Sequence, residues 1–455
     1  MSKPRSKKFW IIFWSASAVF LAVFYFSLQF KNNPAGTIGA AIDYVPWLSD
    51  KAEYKSIAYF GNYLLKSDNR EKTFLILFQN NMELRPGGGY IGTFGILKIK
   101  NGKIIQLQTN DLSNFDGREP NTVTPPYPME EALGIKSWKM RDSNWSPDFA
   151  TNAKKAEYFY YLGQGQEKFD GVVAINTNVL ASFLKVTGPV QLDGYPGTYD
   201  SENAILTLEY QVEKGYAQQG IAKGERKTVM NALADAIMKK VFTLNASQKI
   251  DLAKIILGDL NQKDIQLYFA DSQLEKSARA ANWAGAVDQS WSKDYLMMVD
   301  ANLNSFKSDY YIRRSFDYTV DLSGDTPKAD LKITYVHTAK LADWMTRDYR
   351  SYLRIYVPQG SWLSGSQGLS DIQYGDELGK KYFGSIVQIP IGATRTFELS
   401  YNLPKNISTS DYNLLIQKES GVENVPGKIT VIGKNGAKNV YNLTLTGDWT
   451  LNKSN

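Results

Sequence analysis

The residues best suited to chemistry form one polar run, Gln79–Gly89, with the sequence QNNMELRPGGG. This run follows the apolar stretch TFLILF, which is too short for a buried helix and is typical of a central strand. Open sheets bind ligands beyond the carboxyl ends of their strands. Asn81 and Arg85 are therefore candidate ligands for an anion, with the guanidinium as a bidentate clamp. The other interpretation is a connecting loop in which Glu83 and Arg85 pair with each other.

Two further clusters carry charged side chains. The segment MRDSNWSPDF, residues 140–149, holds Arg141 and Asp142 just before a predicted helix. Arg226 begins a long predicted helix after the Gly-rich turn QGIAKG. A helix N-terminus together with Arg226 and Lys227 would suit a phosphate, and a solvated helix start is the alternative. These clusters add Arg141 and Arg226 to the candidate ligands for an anion.

Composition narrows the chemistry further. The chain has no Cys and a single His, His337, which lies in an alternating stretch typical of a strand. Any catalysis must therefore rest mainly on Asp, Glu, Arg, Lys and Tyr, or on a hard cation held by oxygen ligands. Residues 1–31 hold five bases and no acid, so residues 32–455 have 47 bases and 46 acids. Because no basic field remains, nucleic acid is excluded as a partner.

The N-terminal segment predicts a membrane anchor. Residues Phe9–Phe30 form an uninterrupted uncharged run that is long enough to cross a hydrocarbon core of roughly 30 Å. Lys3, Arg5, Lys7 and Lys8 precede the run, which places the N-terminus in the cytoplasm by the positive-inside rule. A cleaved signal peptide is the competing interpretation. We therefore expect a single-pass signal anchor with extracytoplasmic C-terminal domains.

Periodicity and turn chemistry predict the elements that position these residues. A helix is expected within Trp47–Leu65, and Asn101-Gly102 is the preferred dipeptide of a two-residue hairpin turn. A long helix, Glu225–Phe242, has apolar residues at four-residue spacing. Strand-like and helix-like stretches alternate up to about Phe269, whereas short alternating runs follow Tyr295.

The expected fold is thus an α/β (α+β) mixed-sheet domain followed by an antiparallel β-sandwich, with an N-terminal transmembrane helix. The chain is longer than one hydrophobic core usually supports. The predicted divisions are a cytoplasmic tip and anchor (1–31), a spacer and helix (32–70), the α/β domain (71–300) and the β-sandwich (301–455).

Three motifs carry a resemblance to a known family. They are NNMELRPGGGYIGTFGILKIKNGKI, RDSNWSPDF and FDGVVAINTNVLASFLKVTGPVQL. The chain resembles a bacterial membrane-anchored family known only as domain of unknown function 4012 (DUF4012), over most of residues 71–445. More distantly it is similar to the LytR-CpsA-Psr phosphotransferases, which move glycopolymers from polyprenyl-pyrophosphate carriers onto peptidoglycan. In that comparison Arg226 corresponds to an arginine that meets the pyrophosphate. The segment GGGYIGTF replaces a family segment that contributes a carboxylate and a cation.

The resemblance implies an envelope protein that binds a phosphorylated or lipid-linked glycan, with peptidoglycan or a polyprenyl-pyrophosphate glycan as partner. If it is an enzyme, it would be a Mg²⁺-dependent glycopolymer phosphotransferase. Arginines would then neutralise the pyrophosphate, and Glu83 or Asp142 would ligate Mg²⁺ or activate an acceptor hydroxyl. Arg85, Arg141 and Arg226 would converge in one pocket. The alternative is a non-catalytic envelope scaffold or binding protein.

Overall fold

The computed structural model describes residues 52–408 and 411–452. The predicted anchor Phe9–Phe30 lies outside these residues. Within the described ranges, no helix combines the length and apolar character needed to cross a bilayer.

Ten α-helices and nineteen strands are described, joined by short 3₁₀ and π turns. The helices are α1 (Ala52–Leu65), α2 (Leu112–Phe115), α3 (Met129–Leu133), α4 (Phe149–Leu162), α5 (Asn178–Thr187), α6 (Ala204–Tyr210), α7 (Tyr216–Gln218), α8 (Thr228–Thr243), α9 (Ala246–Asn261) and α10 (Ser272–Ala280). The strands are β1 (Glu71–Asn80), β2 (Tyr90–Lys100), β3 (Lys103–Asp111), β4 (Gly171–Asn176), β5 (Val190–Gln191), β6 (Thr198–Tyr199), β7 (Ile265–Phe269), β8 (Asp294–Val299), β9 (Ile312–Asp321), β10 (Lys328–His337), β11 (Tyr349–Pro358), β12 (Trp362–Gln367), β13 (Gln373–Glu377), β14 (Lys380–Ile389), β15 (Thr394–Asn402), β16 (Asn413–Ile416), β17 (Val425–Ile432), β18 (Lys438–Leu445) and β19 (Trp449–Asn452).

The described chain divides into two compact units. Unit 1 consists of residues 52–79, 91–120 and 153–285, and unit 2 consists of residues 80–90, 121–152 and the described residues from 286 onward. The sequence placed one boundary near residue 300, whereas in the structure the chain passes between the units several times. Unit 2 takes in the polar run after β1 because that run bonds to it. Leu84 N donates to Asp309 Oδ2 (3.0 Å), and Asn302 N donates to Leu84 O (3.0 Å).

Unit 1 is a mixed α/β unit built on the sheet β3-β2-β1-β4-β7. Strands β1 and β4 are parallel, and the β2/β3 and β4/β7 pairs are antiparallel. Residues 72–79 of β1 are all buried, as a central strand requires. Asn101 and Gly102 both adopt positive φ (50° and 72°), which confirms the predicted hairpin turn between β2 and β3.

The helices of unit 1 follow their apolar stripes. Helix α8 buries Val229, Leu233, Ile237 and Val241, which confirms the predicted face. It begins at Thr228, three residues later than predicted, because Lys223–Glu225 form a 3₁₀ turn. Helix α9 begins with a capping box in which Asn245 and Gln248 satisfy each other's backbone N–H groups.

Unit 2 contains two six-stranded sheets, β12-β15-β10-β9-β17-β18 and β13-β14-β11-β8-β16-β19. Apolar side chains from both sheets, among them Phe316 of β9 and Leu353 of β11, share one hydrophobic core. A purely antiparallel arrangement was expected. Each sheet instead contains one parallel pair, β9/β17 and β8/β16. The long connections into β16 and β17 allow this, because parallel neighbours cannot be joined by tight turns.

Candidate functional site

The polar run after β1 forms a buried ion-pair triad in unit 2, the Arg85 triad, made of Glu83, Arg85 and Asp142. Arg85 Nε donates to Asp142 Oδ1 (2.9 Å), and Arg85 Nη2 donates to Glu83 Oε1 (3.1 Å). The remaining hydrogen bonds of the guanidinium are to backbone, since Nη1 donates to the carbonyl oxygens of Leu84 and Asn302 (both 3.1 Å). Arg85 is only 1% exposed. The structure therefore brings together three of the predicted site residues, and it pairs their charges with one another.

Burial and the neighbouring charges shift the pKa values of Arg85 and Glu83 in the triad. Burial by itself lowers the pKa of Arg85, but the charges of Asp142 and Glu83 outweigh this effect and raise that pKa. Burial raises the pKa of Glu83 above its ordinary value, while the nearby Arg85 guanidinium acts in the opposite direction. The guanidinium thus stays charged and holds two carboxylates that water barely reaches. Removing one partner of such a buried ion pair is costly, because the other charge is left buried without a counter-charge.

Two glycines of the same run allow close packing, because a Cβ at either position would lie too close to neighbouring atoms. A Cβ on Gly87 would lie 2.4 Å from Asn152 Nδ2, and Gly89 has a φ of +145°, where side chains are strained. Asn144 donates its side-chain amide to the carbonyl of Gly89, which ties the run to the second polar cluster. This geometry corresponds to the connecting-loop interpretation, in which Glu83 and Arg85 pair with each other.

The other predicted residues of unit 2, and Trp145 from the same cluster as Arg141, are held by contacts within the fold. Asn81 donates to the carbonyl of Gly421 (3.1 Å), and Arg141 lies half-buried in the 3₁₀ turn Met140–Asp142. Trp145 is 6% exposed beneath the guanidinium of Arg354, 5.5 Å from its ring centre. His337 lies on β10, as predicted, where it is buried and its Nε2 lies 3.0 Å from the carbonyl of Arg347.

The Arg85 triad does not fit a Mg²⁺ site. Both carboxylates that were predicted to ligate the ion are directed at the Arg85 guanidinium, which already supplies their counter-charge. In the part of the chain that the structure describes, no three His, Asp or Glu side chains are grouped so that they could hold a metal. The catalytic roles of Glu83 and Asp142 stay predictions.

Arg226 belongs to unit 1, whereas Arg85 and Arg141 belong to unit 2. Arg226 Nη1 donates to Glu213 Oε2 (2.9 Å), and both side chains are about a quarter to a third exposed (26% and 31%). The pair lies between the π turn Gln211–Gly215 and the start of α8. Arg226 is therefore held beside a helix N-terminus, where sequence analysis placed it.

A cavity of about 180 Å³ lies in unit 1 beside the start of α8. Its wall combines apolar side chains with several that can donate or accept hydrogen bonds. The lining residues are Phe78, Thr93, Thr109, Asp111, Gly224, Glu225, Lys227, Thr228, Met230, Asn231 and Ala234. They come from the three neighbouring strands β1, β2 and β3, from the 3₁₀ turn Lys223–Glu225 with the helix cap Lys227, and from the first turns of α8. We refer to it as the α8 cavity.

Lys227 is the central polar group of the α8 cavity. Its Nζ donates to Asp111 Oδ1 (2.7 Å) and to the carbonyl of Gly92 (2.9 Å). Burial lowers the pKa of Lys227, and Asp111 partly offsets this effect. For Asp111 burial acts to raise the pKa, but the hydrogen bond and charge of Lys227 prevail and lower it. An ammonium has three N–H donors, so within the described chain one donor of Lys227 remains for a ligand.

Sequence analysis identified only part of this cavity. It singled out Lys227 beside Arg226, because both follow a Gly-rich turn at a helix start. It missed Asp111, Thr93 and Thr109, which lie far from Lys227 in the chain and belong to ordinary strand sequences. The one available signal was Asp111 itself, an acid that follows the second strand of the predicted Asn101-Gly102 hairpin and ends the observed strand β3.

Comparison with known proteins supports the family but assigns no activity. Residues 69–212 match the model of a family described as “Protein of unknown function (DUF4012)”. This match agrees with the resemblance that the three sequence motifs carry, over residues 69–212 and not over the whole predicted range 71–445. The wider similarity to the LytR-CpsA-Psr phosphotransferases and the membrane anchor stay predictions.

No curated protein matches the chain. Among solved structures, the Lin1025 protein from Listeria innocua aligns with 12% sequence identity and a TM-score of 0.26. The alignment covers 48% of this chain and 78% of that protein. At this TM-score the alignment carries no conclusion about fold or function.

Proposed function

We propose that this chain is a membrane-anchored envelope protein that binds a phosphorylated glycan, free or lipid-linked, through the α8 cavity of unit 1. The anchor would be Phe9–Phe30, and units 1 and 2 would lie outside the cytoplasm. The observation that carries the proposal is the Lys227 ammonium in the cavity wall, which keeps one donor for a ligand beside a helix N-terminus.

The size of the cavity limits the bound group. A volume of about 180 Å³ is below the roughly 300–1,000 Å³ of pockets that enclose drug-sized ligands. The α8 cavity would therefore hold one terminal group and leave the rest of a glycan in solvent. Thr93, Thr109 and Asn231 offer hydroxyl and amide groups suited to sugar hydroxyls.

The charge balance favours a phosphorylated sugar over phosphate alone. The N-terminus of α8 and the Lys227 ammonium both attract an anion. Asp111 already pairs with Lys227, however, and Glu225 also lines the cavity. A bare phosphate would meet two nearby carboxylates, whereas a sugar phosphate would gain hydrogen bonds to its hydroxyls from the threonines. We expect the sugar and the phosphate to contribute together.

Transfer of a glycopolymer is not part of the proposal. The carboxylates that transfer would need, Glu83 and Asp142, lie in unit 2 and are both paired with Arg85. The Arg85 triad supports instead a non-catalytic binding protein in which this loop is structural. The scaffold alternative differs from our proposal in one respect, because a scaffold has no need of a ligand in the α8 cavity.

The test is a titration of the full-length chain in detergent micelles by calorimetry. The ligands are a hexose 1-phosphate, farnesyl pyrophosphate as a short polyprenyl analogue, the free hexose and inorganic phosphate. We expect saturable binding of a phosphorylated ligand, and weaker binding of inorganic phosphate and free hexose. The Lys227→Met variant should bind about tenfold or more weakly, because a hydrogen bond to a charged group is lost.

Lys240→Met is the matched control, since Lys240 lies near the other end of the same helix. Its affinity should equal that of the unchanged chain. Arg226→Ala should weaken binding less than Lys227→Met, because Arg226 does not line the cavity. If folded protein binds none of the ligands, or if Lys227→Met binds as tightly as Lys240→Met, the proposal is wrong and the scaffold alternative gains support.

A further inference from the structure

The connection between α8 and α9 exposes two apolar side chains. Phe242, in the last turn of α8, is 59% exposed, and Ile250, early in α9, is 47% exposed. Neighbouring residues on the same helices, such as Val241 and Leu252, are 2% exposed and belong to the interior of unit 1. The two exposed residues therefore lie outside the buried stripes that fold these helices.

The same segment is locally basic. Residues 239–254, which we call the α8–α9 tip, contain the four lysines Lys239, Lys240, Lys249 and Lys254 and a single acid, Asp251. Lys239 is exposed, and the side chain of Lys254 is 72% exposed, 3.6 Å from Asp251. This basic segment stands in a chain that is otherwise nearly neutral after residue 31. Exposed apolar residues flanked by lysines suit an anionic lipid surface, because apolar side chains can enter the boundary between headgroups and acyl chains and anionic headgroups attract lysines.

The start of the described chain lies beside the same helix. The amide of Asn261, the last residue of α9, lies 3.5 Å from the carboxylate of Glu53 in the first turn of α1. The 51 preceding residues, which include the apolar run Phe9–Phe30, join the described structure there. Helix α9 has 16 residues and is therefore about 24 Å long. The tip thus lies about one helix length from the point where an N-terminal anchor would connect.

We propose that the α8–α9 tip docks on an anionic lipid surface, with Phe242 and Ile250 entering the headgroup layer and the exposed Lys239 and Lys254 contacting the headgroups. Long lysine side chains can extend their ammonium groups toward phosphates while their stems lie along apolar surface. This contact goes beyond ligand binding in the α8 cavity and does not depend on it. Together with an N-terminal anchor, it would give unit 1 a second point of attachment to the membrane.

The chain has no cysteine, so a single introduced cysteine carries a label without competition. Full-length Phe242→Cys is labelled with a polarity-sensitive nitrobenzoxadiazole group and reconstituted by detergent removal into phosphatidylcholine bilayers with or without phosphatidylglycerol. We expect a blue-shifted emission only with phosphatidylglycerol, together with quenching by spin-labelled acyl chains. Ile105→Cys, on the exposed face of β3 in the same unit, is the matched control and should remain water-exposed.

Charge reversal tests the role of the lysines. In the Phe242→Cys background, Lys239→Glu and Lys254→Glu should each lower the equilibrium constant for docking of the tip on the bilayer by about fivefold. The fraction of label with blue-shifted emission should fall accordingly. The label reports on residue 242 whether or not Phe9–Phe30 inserts, because it measures only the surroundings of the tip. Thermal melting shows whether each variant is folded.

The outcomes are distinct. A label at position 242 that stays water-exposed in both bilayers overturns the proposal. So does a label that responds in the absence of lipid to a soluble anionic polymer, since the tip would then bind polyanions and not a lipid surface. An equal response of the Ile105→Cys control would show unspecific adsorption and would also overturn it. None of these outcomes affects the ligand titration of the α8 cavity.

Discussion

The Nε atom of Arg85 lies 2.9 Å from Oδ1 of Asp142, and both residues are buried. The two residues are 57 positions apart in the chain and come from two of the three polar clusters that the sequence displays. Their contact, with Glu83 on the same guanidinium, joins these clusters inside unit 2. The charges that suggested a pyrophosphate site thus stabilise the loop that carries them.

The Arg85 triad predicts a large loss of stability when its cation is removed. Arg85→Met would leave Glu83 and Asp142 buried without a counter-charge, which typically costs about 3–5 kcal/mol. Urea denaturation followed by tryptophan fluorescence measures the free energy of unfolding. The control is Arg226→Met, which breaks the partly exposed pair with Glu213 and should cost less than about 1 kcal/mol. Equal stability of the two variants would contradict a structural role for Arg85.

Gly89 predicts a backbone requirement in the same loop. Its φ of +145° is strained for any side chain, and an added Cβ would lie 2.4 Å from the carbonyl oxygen of Asn80. Gly89→Ala should therefore destabilise the chain by roughly 1–3 kcal/mol. Gly117→Ala is the control, because a Cβ there meets nothing within 4 Å. A melting temperature for Gly89→Ala that matches the control would show that the loop adapts without cost.

The surroundings of Asp294 predict that the free energy of unfolding depends on pH. Its carboxylate accepts hydrogen bonds from the hydroxyls of Tyr412 (2.6 Å) and Tyr318 (2.9 Å) in the core of unit 2. Burial raises the pKa of Asp294 from 3.8 to about 7, although these hydrogen bonds act to lower it. A raised folded-state pKa means that its contribution is complete below pH 3.8 and is lost as the pH rises through about 7.

The loss associated with Asp294 is on the order of 4 kcal/mol, since each pKa unit corresponds to about 1.4 kcal/mol. Asp294→Asn removes the titration while keeping an acceptor for the tyrosines. The difference in unfolding free energy between the two proteins, measured from pH 4 to 8, should change in favour of the variant as pH rises. A difference that is constant over this range would show that Asp294 does not titrate there.

Asp259 predicts a substitution that stabilises unit 1. Its Oδ1 accepts a hydrogen bond from Ser182 (2.8 Å), whereas its buried Oδ2 has no partner among the described residues. Burial and the neighbouring Asp264 raise the pKa of Asp259 to about 7. Asp259→Asn should therefore stabilise the chain at pH 8 by roughly 1–3 kcal/mol and have little effect at pH 5, where the acid is protonated. Ser182→Ala, which removes the existing donor, should destabilise the chain at both pH values. An Asp259→Asn variant that is less stable than the unchanged chain at pH 8 would refute the interpretation.

The sequence by itself determined the local elements of this protein. The apolar run Thr73–Phe78 is a buried strand, Asn101-Gly102 forms the hairpin turn, and the four-residue spacing from Val229 produces helix α8. Each depends on side-chain periodicity or on backbone preference over a few residues, which a sequence displays directly. The residue types along the chain located the polar clusters, and three motifs carried the resemblance to the DUF4012 family.

Only the tertiary structure decided what the polar residues contact. Nothing in the neighbourhood of Arg85 indicates that Asp142 would be its partner, and Lys227 and Asp111 are 116 positions apart. Such partners are determined by the packing of distant segments. The same packing places residues 80–90 and 121–152 in unit 2, although the residues before them in the chain belong to unit 1. A charged side chain has the same local signature whether it faces a ligand or a buried counter-charge, so its partner depends on long-range packing that local sequence does not encode.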